Sequence, residues 1–359
     1  MQKRKRNITI VDIAKQTGVS IATISRIING GTGFSQETEQ KVWNVIHELG
    51  YEPNKQARVM RQGKTPDQVK NHLIMRVFYN YNSAITEDYV CPNYACVESY
   101  FNFLAQSKGL FSTTYYYKSL EEFRCPLLLD KIVDGAIVSG PYKEVVEYVS
   151  RKIPTVLMDV GPSPLFPELI RVNNAMGDGI SLLLEQAYQL GHRNAAVVGA
   201  QDHRDYFSRN HCSIICRELN ERGFTLSPEH CYRPEGLNPE NHDEQMHRIA
   251  EALIPEIRSG KISLIFCEDH SYAKSIYKEL TSAGIKIPEE VSLLSLNTRY
   301  LIAPDWNITS VMINWKALMG TAIDVLQDLI AGKQTDCRFF LIQPDIFQGK
   351  TLAEPNLRS

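Results

Sequence analysis

One arginine in a short apolar stretch is positioned to make specific hydrogen bonds. Arg26 is the single charged residue within residues 20–29, which read Ser-Ile-Ala-Thr-Ile-Ser-Arg-Ile-Ile-Asn. Ser20 can cap a helix here, because its hydroxyl accepts a bond from a backbone N–H that has no partner inside the helix. Isoleucines recur at spacings of three and four and predict one buried stripe: Ile24, Ile27 and Ile28. Such a helix presents its arginine outward. An arginine in this position can bond guanine O6 and N7 together in a DNA major groove.

The residues before this helix predict a partner for it. Ile10, Ile13 and Ala14 form a second helical stripe, and Gly18 stands where a tight turn requires a positive φ. Two helices that cross at a sharp angle need a small residue at the contact, a permissive turn and an apolar side chain opposite, which Ile24 supplies. The pattern favours a helix-turn-helix, although an ordinary helical hairpin with a surface arginine has the same spacing.

The next elements complete a small helical domain and add a basic segment. Ser35 caps a third helix, which Gly50 ends. The inner stripe of this helix is Val42, Val45, Ile46 and Leu49. After a turn at Pro53, residues 55–61 form a short, basic and weakly apolar helical stretch. Such a stretch cannot stay helical alone in water, so it needs a partner.

Charge is distributed unevenly over the chain. The length of 359 residues predicts two or three domains. Residues 1–64 hold 11 Lys and Arg against 5 Asp and Glu, and the remainder holds 28 against 36. A basic head on an acidic body indicates that only the head meets a polyanion. The arm at residues 3–6 carries four positive charges and, beside a helix-turn-helix, favours phosphate contact over a merely solubilising role.

Several classes of protein are excluded by what the sequence lacks. The eight cysteines show no paired CxxC, which favours a reducing cytoplasm over secretion or a zinc module. The basic start has no apolar region after it, and no run of 18 apolar residues predicts a membrane span. HExxH, GxSxG, GxxxxGK[ST] and GxGxxG do not occur, so we expect no enzyme, no catalytic residues, no metal and no cofactor.

The body alternates apolar runs with helical patterns, which is typical of parallel sheets in α/β units. The runs lie at residues 73–79, 135–138, 155–158, 195–198, 264–267 and 292–295. They form two groups, which predicts two doubly wound lobes. Aromatic residues at 101, 103 and 115–117 could stack on a ligand, but a core helix and an edge strand explain them better.

Several motifs resemble the head and hinge of the lactose-repressor (galactose-repressor) family. They are Val11-Asp-Ile-Ala-x3-Gly-Val-Ser-x2-Thr-Ile-Ser-Arg26, Asn29-Gly, Ser35-x-Glu-Thr38 and Glu48-Leu-Gly-Tyr-x-Pro-Asn54-x2-Ala-Arg58. Downstream, Val133-Asp-Gly-Ala-Ile-Val-Ser-Gly140, Leu190-Gly-His-Arg193 and Glu290-Val-Ser292 also resemble that family. The resemblance covers almost the whole chain.

The resemblance implies a fold and a domain organisation. We expect an α/β protein with an N-terminal three-helix head, a hinge helix, and a two-lobed, doubly wound body like that of periplasmic binding proteins. The expected domains are the DNA-binding head at 1–50, hinge and linker at 51–71, effector-binding and dimerisation body at 72–349, and tail at 350–359. Lobe 1 is expected at about 72–171 and 304–335, and lobe 2 at about 173–302 and 337–349, with crossings near Val172, Ala303 and Asp336.

The resemblance also implies which residues contact DNA. The recognition helix reads bases, the basic arm meets phosphates, and Met60 replaces a leucine that paired hinge helices push between base pairs. The expected set is Lys3, Arg4, Lys5, Arg6, Thr9, Ser20, Ile21, Ala22, Thr23, Ser25, Arg26, Asn29, Asn54, Ala57, Arg58 and Met60.

The family binds its effector in a cleft between the lobes, at the ends of strands. Arg209 matches the position of an effector-clamping arginine, and Asn297 stands where an aspartate usually accepts sugar hydroxyls. The expected effector-binding set is Asn80, Tyr94, Ser139, Asp159, Arg209 and Asn297. Exchange of Asp for Asn adds donors and removes charge, so the identity of the effector stays open.

These observations together predict a cytoplasmic bacterial transcription regulator, foremost a repressor. Its expected partners are near-palindromic operator double-stranded DNA, a second copy of the chain in a homodimer, and a small-molecule effector of saccharide type, with no membrane. Alternatives are an activator, a repressor that needs a corepressor, and a sugar-binding protein without DNA function. The basic head and the missing signal peptide argue against the last.

Overall fold

The structure is a computed structural model. It describes residues 8–28, 33–49, 51, 71–79, 92–119, 121, 123, 125–129, 132–140, 142–158, 166–199, 208–234, 241–297, 307–333 and 335–356. The chain divides into two compact units, which we call the head (Met1–Lys70) and the body (Asn71–Ser359). Over these described stretches, no helix is long and apolar enough to cross a membrane.

Three helices build the described part of the head, as predicted. They are α1 (Ile10–Thr17), α2 (Ile21–Ile28) and α3 (Gln36–Leu49). Gly18 ends α1 with a φ of 69°, a backbone conformation that glycine adopts without strain. The predicted stripes meet in one apolar core made of Ile13, Ile24, Ile27, Val42, Val45 and Ile46. The expected hinge helix lies outside the described residues.

The body contains two six-stranded sheets. The first sheet holds β1 (Leu73–Tyr79), β2 (Phe111–Tyr117), β3 (Gly135–Ser139), β4 (Thr155–Met158), β5 (Ile170–Asn174) and β11 (Phe339–Ile342). The second holds β6 (Ala195–Val198), β7 (Cys231–Tyr232), β8 (Leu264–Cys267), β9 (Ser292–Asn297), β10 (Thr309–Met312) and β12 (Asp345–Phe347). Their spatial orders are β11-β5-β4-β3-β1-β2 and β12-β10-β9-β8-β6-β7. All pairings are parallel except the antiparallel pair of β10 and β12.

Helices cover both faces of each sheet, so the predicted doubly wound α/β class is confirmed. They are α4 (Pro92–Ser107), α5 (Pro126–Leu129), α6 (Lys143–Ser150), α7 (Met176–Gln189), α8 (Ser208–Glu221), α9 (His242–Arg258), α10 (His270–Ser282) and α11 (Trp315–Ile330), with a 3-10 turn at Pro228–His230. One apolar core runs through both lobes, and each sheet has a second core on its other face. As predicted, β2 is an edge strand and Phe101 is buried; Phe103 is 62 % exposed, so its assignment to the core was wrong.

The chain crosses between the lobes three times, but two crossings differ from the expected positions. They lie between β5 and α7, between β10 and α11, and between β11 and β12. Strand β10 therefore belongs to the second lobe and β11 to the first, contrary to the expected crossings near Ala303 and Asp336. Each of these strands has only four residues, and their non-local hydrogen bonds, rather than their composition, decide which sheet they join.

Candidate functional site: the outer face of α2 and the cleft between the lobes

Helix α2 is held in the head with one side buried and the other exposed. The Ser20 hydroxyl accepts a hydrogen bond from the Thr23 backbone N–H at 3.1 Å, which is the predicted N-cap. Ile24 and Ile27 are buried, whereas Ile21, Ala22 and Arg26 are exposed. Because buried isoleucines fix the rotation of α2, Arg26 and the two apolar residues Ile21 and Ala22 are left on its exposed side.

The other described residues of the expected DNA set have local partners. Thr9 caps α1, since its N–H and hydroxyl both bond the Asp12 carboxylate, at 2.8 and 2.7 Å. Thr23 bonds the Ser20 hydroxyl, and Ser25 is half-buried. These contacts orient the first turns of α1 and α2. Nine residues of the set lie outside the described residues: Lys3, Arg4, Lys5, Arg6, Asn29, Asn54, Ala57, Arg58 and Met60.

All three crossings lie at the carboxyl ends of the strands. Helices in βαβ units run antiparallel to their strands, so α7 and α11 begin at the carboxyl edges of the sheets that they cover. Asp345 begins β12 beside Met312, which ends β10. Hydrogen bonds tie the crossings together: Ala175 N–H to Ile342 O at 2.8 Å, Asn314 Nδ2 to Asp345 Oδ1 at 3.3 Å, and Gln343 Nε2 to Asp178 Oδ2 at 2.9 Å. The three crossings therefore gather at these carboxyl edges, which is where α/β folds bind ligands.

Aromatic side chains gather at the carboxyl edge of the first sheet. Tyr79 and Tyr117 are paired across β1 and β2, and their rings also contact Tyr142. The Tyr117 hydroxyl is buried and has no hydrogen-bond partner among the described residues, and burial raises the pKa of Tyr117. It lies against Gly140, where a Cβ atom would overlap it. Ser139 ends β3 and donates to Met158 O at 2.9 Å, so its hydroxyl supports the edge of the sheet.

Buried polar groups line the corresponding edge of the second sheet. Asn297 is the last residue of β9, rather than a loop residue, and it is fully buried. Its backbone carbonyl accepts a hydrogen bond from Ile313 N–H at 3.3 Å. Glu268 follows β8, is 4 % exposed and accepts from Cys212 N–H at 3.2 Å. A Cβ at Gly199 would lie 2.9 Å from Glu268 Oε2, so a larger residue there would displace this carboxylate.

The remaining residues of the expected effector set are only partly described. Asn80 and Asp159 lie outside the described residues. Tyr94 lies in the first turn of α4 and Arg209 in the first turn of α8, so both are on helices rather than on loops. Their side chains are outside the described part. Among the described residues, no group of three or more His, Cys, Asp or Glu is arranged to hold a metal ion.

Sequence reasoning missed two buried donors near the cleft. Trp315 begins α11 directly after the second crossing, and its buried Nε1 has no hydrogen-bond partner in the described structure. The Tyr117 hydroxyl at the carboxyl end of β2 is the other. Neither residue lies within a recognisable sequence motif. Trp315 could be identified only from its position directly after a crossing, and the crossing is defined by the sheet topology.

Two family models match separate parts of the chain. Residues 9–54 match bacterial regulatory proteins of the lacI family, and residues 184–352 match the periplasmic binding protein-like domain. The first match includes all three described helices of the head, and the second begins within α7 and covers most of the second lobe. The two matches therefore fall on opposite sides of the division between head and body.

Relatives and solved structures agree with this division. The HTH-type transcriptional repressor PurR of Aliivibrio fischeri (strain MJ11) is 24% identical, over 94% of this chain and 96% of its own. The lac repressor dimer bound to operator and the anti-inducer ONPF has a TM-score of 0.69 at 19% identity, over 97% and 100%. The CelR–cellobiose complex has a TM-score of 0.60 at 17% identity, over 96% and 99%. Such relatives are transcription regulators and not enzymes, and the chain combines a DNA-binding domain of the lacI family with a periplasmic binding protein-like domain, the arrangement of a DNA-binding transcriptional repressor.

Proposed function

We propose that this repressor acts in the bacterial cytoplasm as a homodimer on a near-palindromic operator, and that a small polar molecule in the interlobe cleft controls its affinity for DNA. The single observation that carries the DNA part is the two-sided burial of α2. Ile24 and Ile27 are inside the head, while Ile21, Ala22 and Arg26 face outward. A twofold dimer presents two such helices, which matches the twofold symmetry of a palindromic site.

Arg26 is proposed to read a base, and the arm at residues 3–6 to read only charge. A guanidinium carries forked donors that match guanine O6 and N7, whereas phosphate contacts carry no sequence information. The exposed apolar residues beside it, Ile21 and Ala22, suit the methyl group of thymine. Proteins that combine both kinds of contact lose affinity with salt in proportion to the phosphates they neutralise.

The first experiment selects operators from random duplexes and compares variants by gel shift. Arg26→Ala should cost about 1–3 kcal/mol on the selected site and relax the preference at one base pair. Arg26→Lys is the matched variant, because it retains the charge and removes the fork, and it should lose preference while binding scrambled DNA as before. Lys41→Ala, at an exposed cation of α3, controls for charge. Equal losses on selected and scrambled duplexes would contradict base reading by Arg26.

The cleft part of the proposal is supported by buried polar groups at both carboxyl edges. Tyr117 and Trp315 hold donors without a partner among the described residues, and Asn297 brings an amide that both donates and accepts. A ligand oxygen that accepts these donors would remove the cost of leaving them unpaired. Arg209 is proposed to clamp the ligand from the first turn of α8, since its forked donors suit hydroxyls, carboxylates and phosphates.

A neutral or acidic saccharide is the proposed class of effector. Tyrosine and tryptophan rings offer flat apolar faces, and their polar ends offer hydrogen bonds, which is the combination that sugar rings require. A structural neighbour with the same fold is a complex with cellobiose. Asn297 carries no charge where an aspartate is usual, so a cationic ligand is disfavoured.

A thermal-shift screen of neutral and acidic mono- and disaccharides, cellobiose included, tests this class. For a saccharide that binds, Trp315→Phe and Tyr117→Phe should each weaken binding by about 0.5–1.5 kcal/mol, because each keeps an aromatic ring and removes one donor. Tyr148→Phe removes the hydroxyl of an exposed tyrosine on α6 and should change nothing. A panel in which no saccharide binds would refute the proposed class.

The same saccharide must also act on DNA binding. The factor by which it changes operator affinity has to equal the factor by which operator changes its own affinity. Arg209→Ala should abolish this response while operator affinity without ligand stays within about threefold, roughly 0.7 kcal/mol. If that variant still responds at the ligand concentration that acts on the wild type, the pocket lies elsewhere. A response that tightens DNA binding would identify a corepressor.

A further inference from the structure

One carboxylate binds the chain at the point where it enters the body. The body begins at Asn71, directly before β1, and Asp134 is the residue before β3. Asp134 Oδ1 accepts a hydrogen bond from Asn71 N–H at 3.0 Å, and Asp134 Oδ2 accepts one from Leu73 N–H at 3.2 Å. A single side chain therefore fixes two alternate backbone amides of the segment 71–73, which we call the entry segment.

Further hydrogen bonds hold the entry segment on the same side. Asp134 N–H donates to Leu73 O at 2.8 Å, so these two residues are joined through both backbone and side chain. Asn71 Nδ2 donates to Ile132 O at 2.9 Å. These bonds attach the entry segment to the chain that leads into β3, and its backbone has little freedom to turn.

His72 lies between the two bound amides in a strained conformation. Its φ is 55°, in the left-handed region that residues with a Cβ atom disfavour. Its side chain is exposed, so packing of the imidazole does not require this conformation. Backbone N–H groups around a left-handed residue form a small concavity that binds anions, and here the Asp134 carboxylate receives them. Phe111 N–H donates to His72 O at 2.6 Å, which holds the strained residue from the side of β2.

We propose that Asp134 is a positioning residue for DNA binding, which fixes the direction of the chain between body and head without contacting DNA. In a dimer, each head is joined to its body through an entry segment. Linkers that are free at their base allow two heads to reach half-sites at several spacings, whereas a fixed base restricts that reach. The proposal about spacing rests on the proposed function, because the homodimer and the near-palindromic operator are proposed.

The carboxylate at this position can be weakened in two steps. Both oxygens of Asp134 accept hydrogen bonds, whereas an asparagine offers one oxygen and an NH2 group that cannot accept. Asp134→Asn should therefore lose one of the two bonds to the entry segment, and Asp134→Ala should lose both. Asp336→Asn is the matched control, because it removes an exposed carboxylate between α11 and β11.

Hydrogen exchange of the full-length protein, read by mass spectrometry, tests the anchor without DNA. The amides of residues 71–73 should exchange about tenfold faster in Asp134→Ala than in the wild type, and Asp134→Asn should be intermediate. Peptides from β6 and β8 should exchange as in the wild type. If they exchange faster in Asp134→Ala, the body has loosened, and the isosteric Asp134→Asn decides. Unchanged exchange at residues 71–73 would overturn the proposal.

Gel shifts on operators of altered spacing test the consequence for DNA binding. The selected operator is compared with duplexes whose half-sites are one base pair closer or farther apart. The wild type and Asp336→Asn should lose about tenfold in affinity on both altered duplexes, whereas Asp134→Ala should bind all three within about threefold. Affinity for a single half-site should be the same in all proteins, because no contact with DNA has changed. A merely structural role would not change the spacing preference.

Failure of the anchor and failure of the proposed dimer give different results. A wild type that binds two half-sites no more tightly than one would refute the dimer, and hydrogen exchange would still decide whether Asp134 fixes the entry segment. Faster exchange in Asp134→Ala with the spacing preference of the wild type would identify a structural contact only and would overturn the positioning role.

Discussion

His270 shows how a single buried residue makes the body sensitive to acid. It is 2 % exposed at the start of α10, and its Nδ1 lies 3.0 Å from Ser295 Oγ, which lies 2.7 Å from Ser310 Oγ. Burial lowers the pKa of His270 to about 4, against a small opposing effect of Asp269. The imidazole therefore stays neutral inside a chain of hydroxyl groups at neutral pH.

The sign of the pH effect follows from this lowered pKa. Between about pH 6.5 and pH 4 the unfolded chain binds a proton at His270 that the folded chain does not, so stability falls as pH falls. Between pH 7.5 and pH 5, protonation of this one group should lower the free energy of unfolding by about 2 kcal/mol. His192, 1 % exposed, has its pKa lowered by burial too and acts in the same direction.

Urea unfolding of the wild type and His270→Gln at pH 7.5 and pH 5 measures the contribution. The variant should lose less free energy of unfolding on acidification than the wild type does. His247→Gln is the control, because Glu279 raises the pKa of this exposed histidine and its effect has the opposite sign. Its acid loss should be equal or slightly larger. Equal acid losses in His270→Gln and the wild type would contradict the assignment.

At the scale of elements, α7 packs closely against the crossings between the lobes. A Cβ atom at Gly179 would overlap Val311 and come within 2.6 Å of Pro344 Cγ, which stands between β11 and β12. A Cβ atom at Gly177, two residues earlier on α7, would meet Ile214 only at 3.9 Å. The two glycines therefore form a matched pair, one required by packing and one not.

Alanine should destabilise the body at Gly179 but not at Gly177. Gly179→Ala should destabilise the body by about 1–3 kcal/mol, because Val311 is fully buried and cannot yield. Gly177→Ala should leave stability unchanged or raise it by up to about 1 kcal/mol, since alanine is the better helix former. Urea midpoints measure both. Similar midpoints for the two variants would show that α7 is not confined by the crossings.

At the scale of the whole molecule, the lobes share one core. That core includes residues of both sheets together with α7 and α11, and three hydrogen bonds link the crossings to each other. Closure of the lobes on a ligand must therefore bend the three linked crossing segments at the same time. A ligand shifts the equilibrium between open and closed lobes only by the difference between its affinities for these two conformations. In allosteric proteins this difference is about 1–3 kcal/mol.

The sequence by itself determined the features that depend on neighbours along the chain. The caps at Ser20 and Ser35, the turn at Gly18 and the apolar stripes of the head all follow from contacts three or four residues apart. Six apolar runs also predicted strands correctly: β1, β3, β4, β6, β8 and β9. Buried strands of a parallel sheet have apolar side chains on both faces, so composition alone reveals them.

Only the tertiary structure decided what depends on distant partners. The six other strands are short, polar or aromatic, and β10 and β11 join their sheets through backbone bonds to residues far along the chain. The crossings and the buried donors of Tyr117 and Trp315 follow from that pairing. No local period encodes these contacts, because backbone hydrogen bonds between strands form without regard to side-chain identity.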